Sequence, residues 1–65
     1  MNNEIVAKRL VELRGDRSQR DVAEVLGITQ AAYAMYETGK RTPRDDKKEK
    51  LANYYGVSVA SLFYS

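Results

Sequence analysis

Four glycines, Gly15, Gly27, Gly39 and Gly56, constrain this chain more than any other feature. Each one closes a segment whose apolar residues recur with a period of 3.6, the place where a helix ends in a left-handed residue. Five helices follow from that punctuation. The first spans about residues 3–14, with Val6, Leu10 and Leu13 on one stripe. The second is capped by Ser18, with Asp21 three residues on in the manner of a capping box, and carries Val22, Ala23, Val25 and Leu26 up to Gly27. The third is capped by Thr29 and passes through Tyr33 and Tyr36 to Thr38. The fourth opens after Pro43 with Asp45 and Asp46, acids that suit a helix N-terminus, and closes at Tyr55. Ser58 caps a last short helix bearing Val59, Leu62 and Phe63. No strand-like alternation, internal repeat or low-complexity segment competes with this reading. The expectation is a single all-α domain over residues 1–65.

Composition then removes whole classes of chemistry. A chain of 65 residues has room for one domain and buries only about 60% of its unfolded surface. It has no cysteine and no histidine, so disulfides, thiolate or imidazole metal sites, a Cys nucleophile and a Ser-His triad are all excluded. No glycine-rich phosphate loop or nucleophile elbow is present, so the chain reads as neither an enzyme nor a cofactor binder. No apolar run approaches a membrane span and no signal-peptide core precedes the first helix, which points to the cytoplasm and away from any membrane. The net charge of +2 is only mildly basic. Its distribution says more: Arg14, Arg17 and Arg20 fall close together, and Lys40, Arg41, Arg44, Lys47, Lys48 and Lys50 form a second group diluted by Asp45, Asp46 and Glu49. Such runs are commonly solvated helix faces as well as nucleic-acid contacts.

The second and third helices are separated only by Gly27-Ile28-Thr29. A left-handed glycine turns the chain sharply, small Ala23 lets the third helix approach, and Ile28 and Tyr33 pin the pair to the core. That is the geometry of a helix-turn-helix, although any αα-hairpin asks for a similar turn. The string SQRDVAEVLGITQAAYAMYETGKRTP goes further. It resembles the phage-repressor and Cro-like helix-turn-helix proteins of the XRE family. The resemblance runs from about Leu10 to Phe63 through Gln19, Ala23, Leu26-Gly27-Ile28, Thr29-Gln30, Tyr36-Glu37, Gly39-Lys40, Pro43, Ala52, Gly56-Val57-Ser58 and Leu62-Phe63.

The resemblance implies a compact five-helix, lambda-repressor-like domain that binds double-stranded DNA. Its third helix would lie in the major groove, presenting Gln30, Ala31, Ala34 and Met35 to the bases while Tyr33 and Tyr36 turn inward. Gln30 is the strongest direct reader, since a glutamine pairs bidentately with adenine, though a phosphate contact competes for it. The other three offer apolar contact to thymine methyls, and Met35 can equally be a space-filler. Gln19, Thr29, Thr38, Lys40 and Arg41 would meet phosphates, with Arg17, Arg20 and Arg44 as a second rank that simple surface charge explains as well. Arg14 and Glu37 resemble an ion pair tying the first helix to the end of the third.

Three departures from the family pattern stand out. The connection Gly15-Asp16-Arg17 is short and lacks an apolar residue before the Ser18 cap. The stretch from Asp45 to Lys50 is wholly polar where relatives place aliphatics. Either it stands in solvent, or its lysine stems cover the core and snorkel, with core contact beginning at Leu51. The reading face is also poor in hydrogen-bonding groups, which leaves room for indirect readout. The expected function is a transcriptional regulator, a repressor acting as a homodimer on a pseudo-palindromic operator, with Phe63 and Tyr64 of the last helix as dimer surface or as simple core. An antitoxin or protein-interaction module on the same fold is the alternative, and a third reading makes the chain the N-terminal piece of a longer regulator.

Overall fold

A computed structural model describes residues 3–65. Its helices are α1 (Asn3–Arg14), α2 (Gln19–Leu26), α3 (Gln30–Glu37) and α4 (Asp45–Tyr55), followed by a π-wound turn, α5 (Ala60–Tyr64). The boundaries follow from local chemistry. Ser18 Oγ accepts the Asp21 N–H at 3.0 Å, and Thr29 Oγ1 accepts that of Ala32 at 3.1 Å, so each cap satisfies a first-turn donor that has no helical partner. Ser58 does the same for α5, with Oγ accepting the Ser61 N–H at 3.0 Å.

Between α2 and α3 the turn is made by Gly27, at φ +72°. Its N–H bonds to the Glu24 carbonyl at 3.1 Å and the next N–H, from Ile28, reaches back to Ala23 at 3.0 Å. This is a Schellman ending, and an L side chain would strain its left-handed residue. Gly39 ends α3 in the same way at φ +77°, and the Asn3 carbonyl oxygen lies 3.4 Å from its Cβ position, in van der Waals contact with it.

The core is one cluster built from every helix: Val6 and Leu10 of α1, Val22, Ala23 and Leu26 of α2, Tyr33 and Tyr36 of α3, Leu51 of α4, and Leu62 and Phe63 of α5. The Tyr33 and Tyr36 rings meet edge to face with centroids 6.1 Å apart, a favoured aromatic geometry. Arg9 of α1 reaches the far end of the chain, where its guanidinium donates to the carbonyls of Ser61, Leu62 and Ser65 at 3.1, 3.1 and 2.8 Å.

The polar half of α4 resolves in favour of covering stems. Lys48 is 8% exposed and its Nζ donates to the Tyr64 hydroxyl and stands 5.6 Å from the Phe63 ring centroid. Lys47 donates to the Leu26 carbonyl at 3.0 Å and so occupies an orphan acceptor at the end of α2. Core contact in α4 therefore begins at Lys48, one turn earlier than Leu51. At the C-terminus, Phe63 lies within the core and only Tyr64, 59% exposed, remains of the two residues expected to offer surface. Among the described residues no helix is long and apolar enough to cross a membrane.

Candidate nucleic-acid interface

The inward tyrosines set the outward face of α3. With Tyr33 and Tyr36 buried, the 3.6-residue period turns Gln30, Ala31 and Met35 outward and leaves Ala34 half-buried between them. The face carries one amide and no charge.

The segment following α3 is anchored by its backbone. The Met35 carbonyl accepts the N–H groups of Lys40 at 3.0 Å and Arg41 at 3.3 Å, and the Thr38 hydroxyl at 3.2 Å. Lys40 and Arg41 thus leave the end of the helix at fixed points while their side chains stay exposed. The segment is also tied to α1, where the Thr42 hydroxyl donates to Asn3 Oδ1 at 3.0 Å.

Behind the face, Glu37 is the hub. Its carboxylate accepts Arg14 Nε at 2.7 Å and Arg14 Nη2 at 3.1 Å, a two-point pairing, and Gln19 Nε2 at 3.0 Å. Its side chain is 3% exposed. Burial on its own raises this carboxyl, but the bonds to Arg14, Tyr33 and Gln19 and the Arg14 charge outweigh it and hold the group below its ordinary 4.5. The hydrogen bond to Glu37 likewise raises Arg14. Arg14 Nη1 completes the junction by donating to the Arg17 carbonyl at 2.8 Å. The pair joins α1 to α3 as the resemblance implied, and one oxygen also orients Gln19. Gln19 therefore presents itself at the start of α2 with one amide hydrogen engaged by Glu37.

Next to this hub, the Tyr33 and Tyr55 hydroxyls lie 2.8 Å apart and link α3 to α4. Burial pushes both phenols up from their ordinary values. Arg17 places its guanidinium 5.1 Å from the Tyr54 ring centroid and 5.5 Å from that of Tyr55. It fills the position where the connection lacked an apolar residue, and it does so with a planar cation on two rings. Arg20 sits 3.5 Å from Glu24 with both side chains open to solvent, a pairing that holds it weakly.

Arg41 and Arg44 converge elsewhere. With Tyr36, Thr42 and Lys47 they line a cavity of about 260 Å³ where the α3–α4 connection meets the start of α4. Three features were not legible as functional in the sequence: the Glu37 grip on Gln19, the Arg17 stack, and the place of Tyr36 and Lys47 in this cleft. Lys47 sat in a polar run and Tyr36 at a core position, so neither carried a local signal. Among the described residues no group of acidic side chains is arranged to hold a metal ion.

Residues 8–62 match the family model described as Helix-turn-helix. The chain is 37% identical over 54 residues to the cryptic phage CTXphi transcriptional repressor RstR of Vibrio cholerae, covering 83% of this chain and 49% of that protein. It is 38% identical over 58 residues to the HTH-type transcriptional regulator PuuR of Escherichia coli (strain K12), covering 86% of this chain and 31% of PuuR. It is 44% identical over 45 residues to YonR, an SPbeta prophage-derived uncharacterized HTH-type transcriptional regulator of Bacillus subtilis (strain 168), covering 69% and 42% of the two. The chain thus spans half or less of the length of these relatives. No solved structure matches it. A glycine-turned α2–α3 pair, an outward α3 face locked by Arg14 and Glu37, and a family match across most of the chain lead to one assignment: it belongs to the XRE-type helix-turn-helix family.

Proposed function

We propose that this domain binds double-stranded DNA as a transcriptional regulator, and acts as a repressor. The observation that carries the reading is the α3 face. Gln30, Ala31 and Met35 stand clear of a core that fixes the helix from behind, with Ala34 half-buried between them and phosphate-seeking groups at both ends. In this reading α3 enters the major groove, where Gln30 reads an adenine edge and the two alanines and Met35 meet thymine methyls. Gln19, Thr29, Thr38, Lys40 and Arg41 hold the backbone, and Arg20 and Arg44 add longer-range attraction. Arg17 contributes by holding the α1–α2 connection on α4 more than by touching a phosphate, because its charge already rests on two rings.

A single small module makes few base contacts, so useful affinity comes from two copies on a pseudo-palindromic site, with exposed Tyr64 as candidate dimer surface. The V. cholerae relative is itself a phage repressor, which favours repression over activation. The weakly polar reading face is the one observation that favours the alternative, an interaction module such as an antitoxin, because an apolar face also suits a protein partner.

Selection of bound duplexes from a random pool, read at low and near-physiological salt, tests the proposal. An enriched palindrome that survives the higher salt supports the dimeric operator-binding regulator and gives the half-site spacing. Enrichment of no sequence, with binding lost as salt rises, refutes it and turns the search toward a protein partner.

A further inference from the structure

The cations that follow α3 stand on a connection without regular structure, and such a connection aims a long side chain only if its own backbone is held. At its start the Met35 carbonyl fixes the amides of Lys40 and Arg41. A second hold comes from the opposite end of the sequence. Asn3, the first residue of α1, donates from Nδ2 to the Gly39 carbonyl at 3.4 Å and accepts the Thr42 hydroxyl on Oδ1 at 3.0 Å. One side-chain amide thus spans the residues on either side of Lys40 and Arg41. The backbones approach as well, with the Asn3 carbonyl oxygen and carbon 3.4 and 3.6 Å from the Cβ position of Gly39. The residue type matters. A primary amide carries donor hydrogens and an acceptor oxygen on one planar group, whereas an ionised carboxylate only accepts and an alanine does neither. Asn3 is half-buried and stands outside the core cluster, so its side chain is spent on this tie and not on packing.

We propose that Asn3 is a positioning residue for the interface: its amide ties Gly39 to Thr42 before any ligand arrives and so sets where Lys40 and Arg41 leave the end of α3. The consequence for DNA rests on the DNA-binding reading above. A segment already ordered in the free protein brings its cations to phosphates without a further loss of chain entropy, and a loose one must be ordered on binding. Ordering the backbone of one residue is worth about a tenfold change in affinity. Asn3 carries no charge and in this role meets neither base nor phosphate. It makes the first turn of α1, 36 positions from Gly39, part of the device that presents the cations.

The test uses the full chain and two variants. Asn3→Ala removes both bonds, and Thr42→Val cuts the tie from its other side with little change of shape. Hydrogen exchange at the Lys40 and Arg41 amides, read by NMR in the DNA-free chain, is expected to quicken by about fivefold in each variant, the scale of one lost hydrogen bond. Duplex affinity of Asn3→Ala, measured well below its melting temperature, is expected to fall by about tenfold with the parental salt slope, because every cation still reaches its phosphate. A purely structural role would lower the melting temperature and leave the affinity of the folded chain alone. In a background carrying Lys40→Ala and Arg41→Ala, Asn3→Ala is expected to cost less than about twofold, since the groups it positions are gone.

Parental exchange at Lys40 and Arg41 in both variants would overturn the proposal. So would an undiminished loss from Asn3→Ala in the background without the two cations, which would place its effect elsewhere. If the parent chain binds no duplex, the DNA-binding reading fails, and the exchange rates alone decide whether Asn3 fixes the segment.

Discussion

Breaking the Arg14–Glu37 pair should cost more from one side than from the other. Glu37 is 3% exposed at its side chain, while Arg14 is 22% exposed and keeps a bond to the Arg17 carbonyl. Replacing Glu37 by Gln leaves a guanidinium that can turn toward water, at a cost of about 2 kcal/mol, the range of a hydrogen bond to a charged group. Replacing Arg14 by Met strands a buried carboxylate with only the neutral Gln19 amide and Tyr33 hydroxyl to support it, and about 3–4 kcal/mol is expected. In a domain of this size each kcal/mol moves the melting temperature by about 4–8 °C, so the two variants should separate clearly. The double variant Arg14→Met with Glu37→Gln removes both charges, and should recover at least about 2 kcal/mol relative to the sum of the single losses. Urea unfolding in the cold, with melting curves beside it, measures all the corners. Additivity within about 0.5 kcal/mol, or a Glu37 loss equal to the Arg14 loss, would refute the hub and its asymmetry.

The same carboxyl gives a pH signature. Its folded value is depressed, so its contribution is complete above the ordinary 4.5 and disappears as the pH falls through the lower folded value. In Arg14→Met the sign should reverse, with stability improving relative to the parent as acid protonates the stranded group. Unfolding midpoints across pH 3–7, a window of about that span around the ordinary carboxylate range, check both slopes. Arg17→Ala should lower stability by about 0.5–1 kcal/mol and leave the salt slope of duplex binding unaltered; a slope reduced by about one would make Arg17 a phosphate ligand. Lys48→Met keeps the buried stem and drops the ammonium, so urea midpoints should be level or higher, whereas a loss above about 1.5 kcal/mol would mean that the Tyr64 bond stabilises the fold. Gln30→Ala should relax preference at one base pair by about 1–3 kcal/mol, while Lys40→Ala weakens every sequence alike; uniform loss for Gln30→Ala would move that residue to the backbone.

What could be read from the sequence was what depends on near neighbours. Ser18, Thr29 and Ser58 act within three residues of themselves, and Gly27 closes α2 through bonds to Ala23 and Glu24, so spacing alone located the helices. The inward tyrosines followed from periodicity. Arg14 and Glu37 are 23 positions apart and became legible only through the family resemblance. Arg17 and Tyr54 lie farther apart still, and nothing in a short polar connection signals that its arginine will stack. Lys48 stayed open between water and core for a related reason: hydropathy assigns a lysine to water, but a four-carbon stem covers apolar surface when its nitrogen finds a partner.

Arg9 carries a consequence of another kind. One guanidinium from the first helix holds three carbonyls of the last turn, the farthest 56 positions away, and so closes nearly the whole chain into a ring. Closing a loop of that length costs several kcal/mol of chain entropy, a cost met once, when the entire fold is in place. The first and last helices are therefore expected to open together. Amide exchange at Leu10 and at Phe63 should share one opening rate, and a label at either end of the sequence reports on the same event.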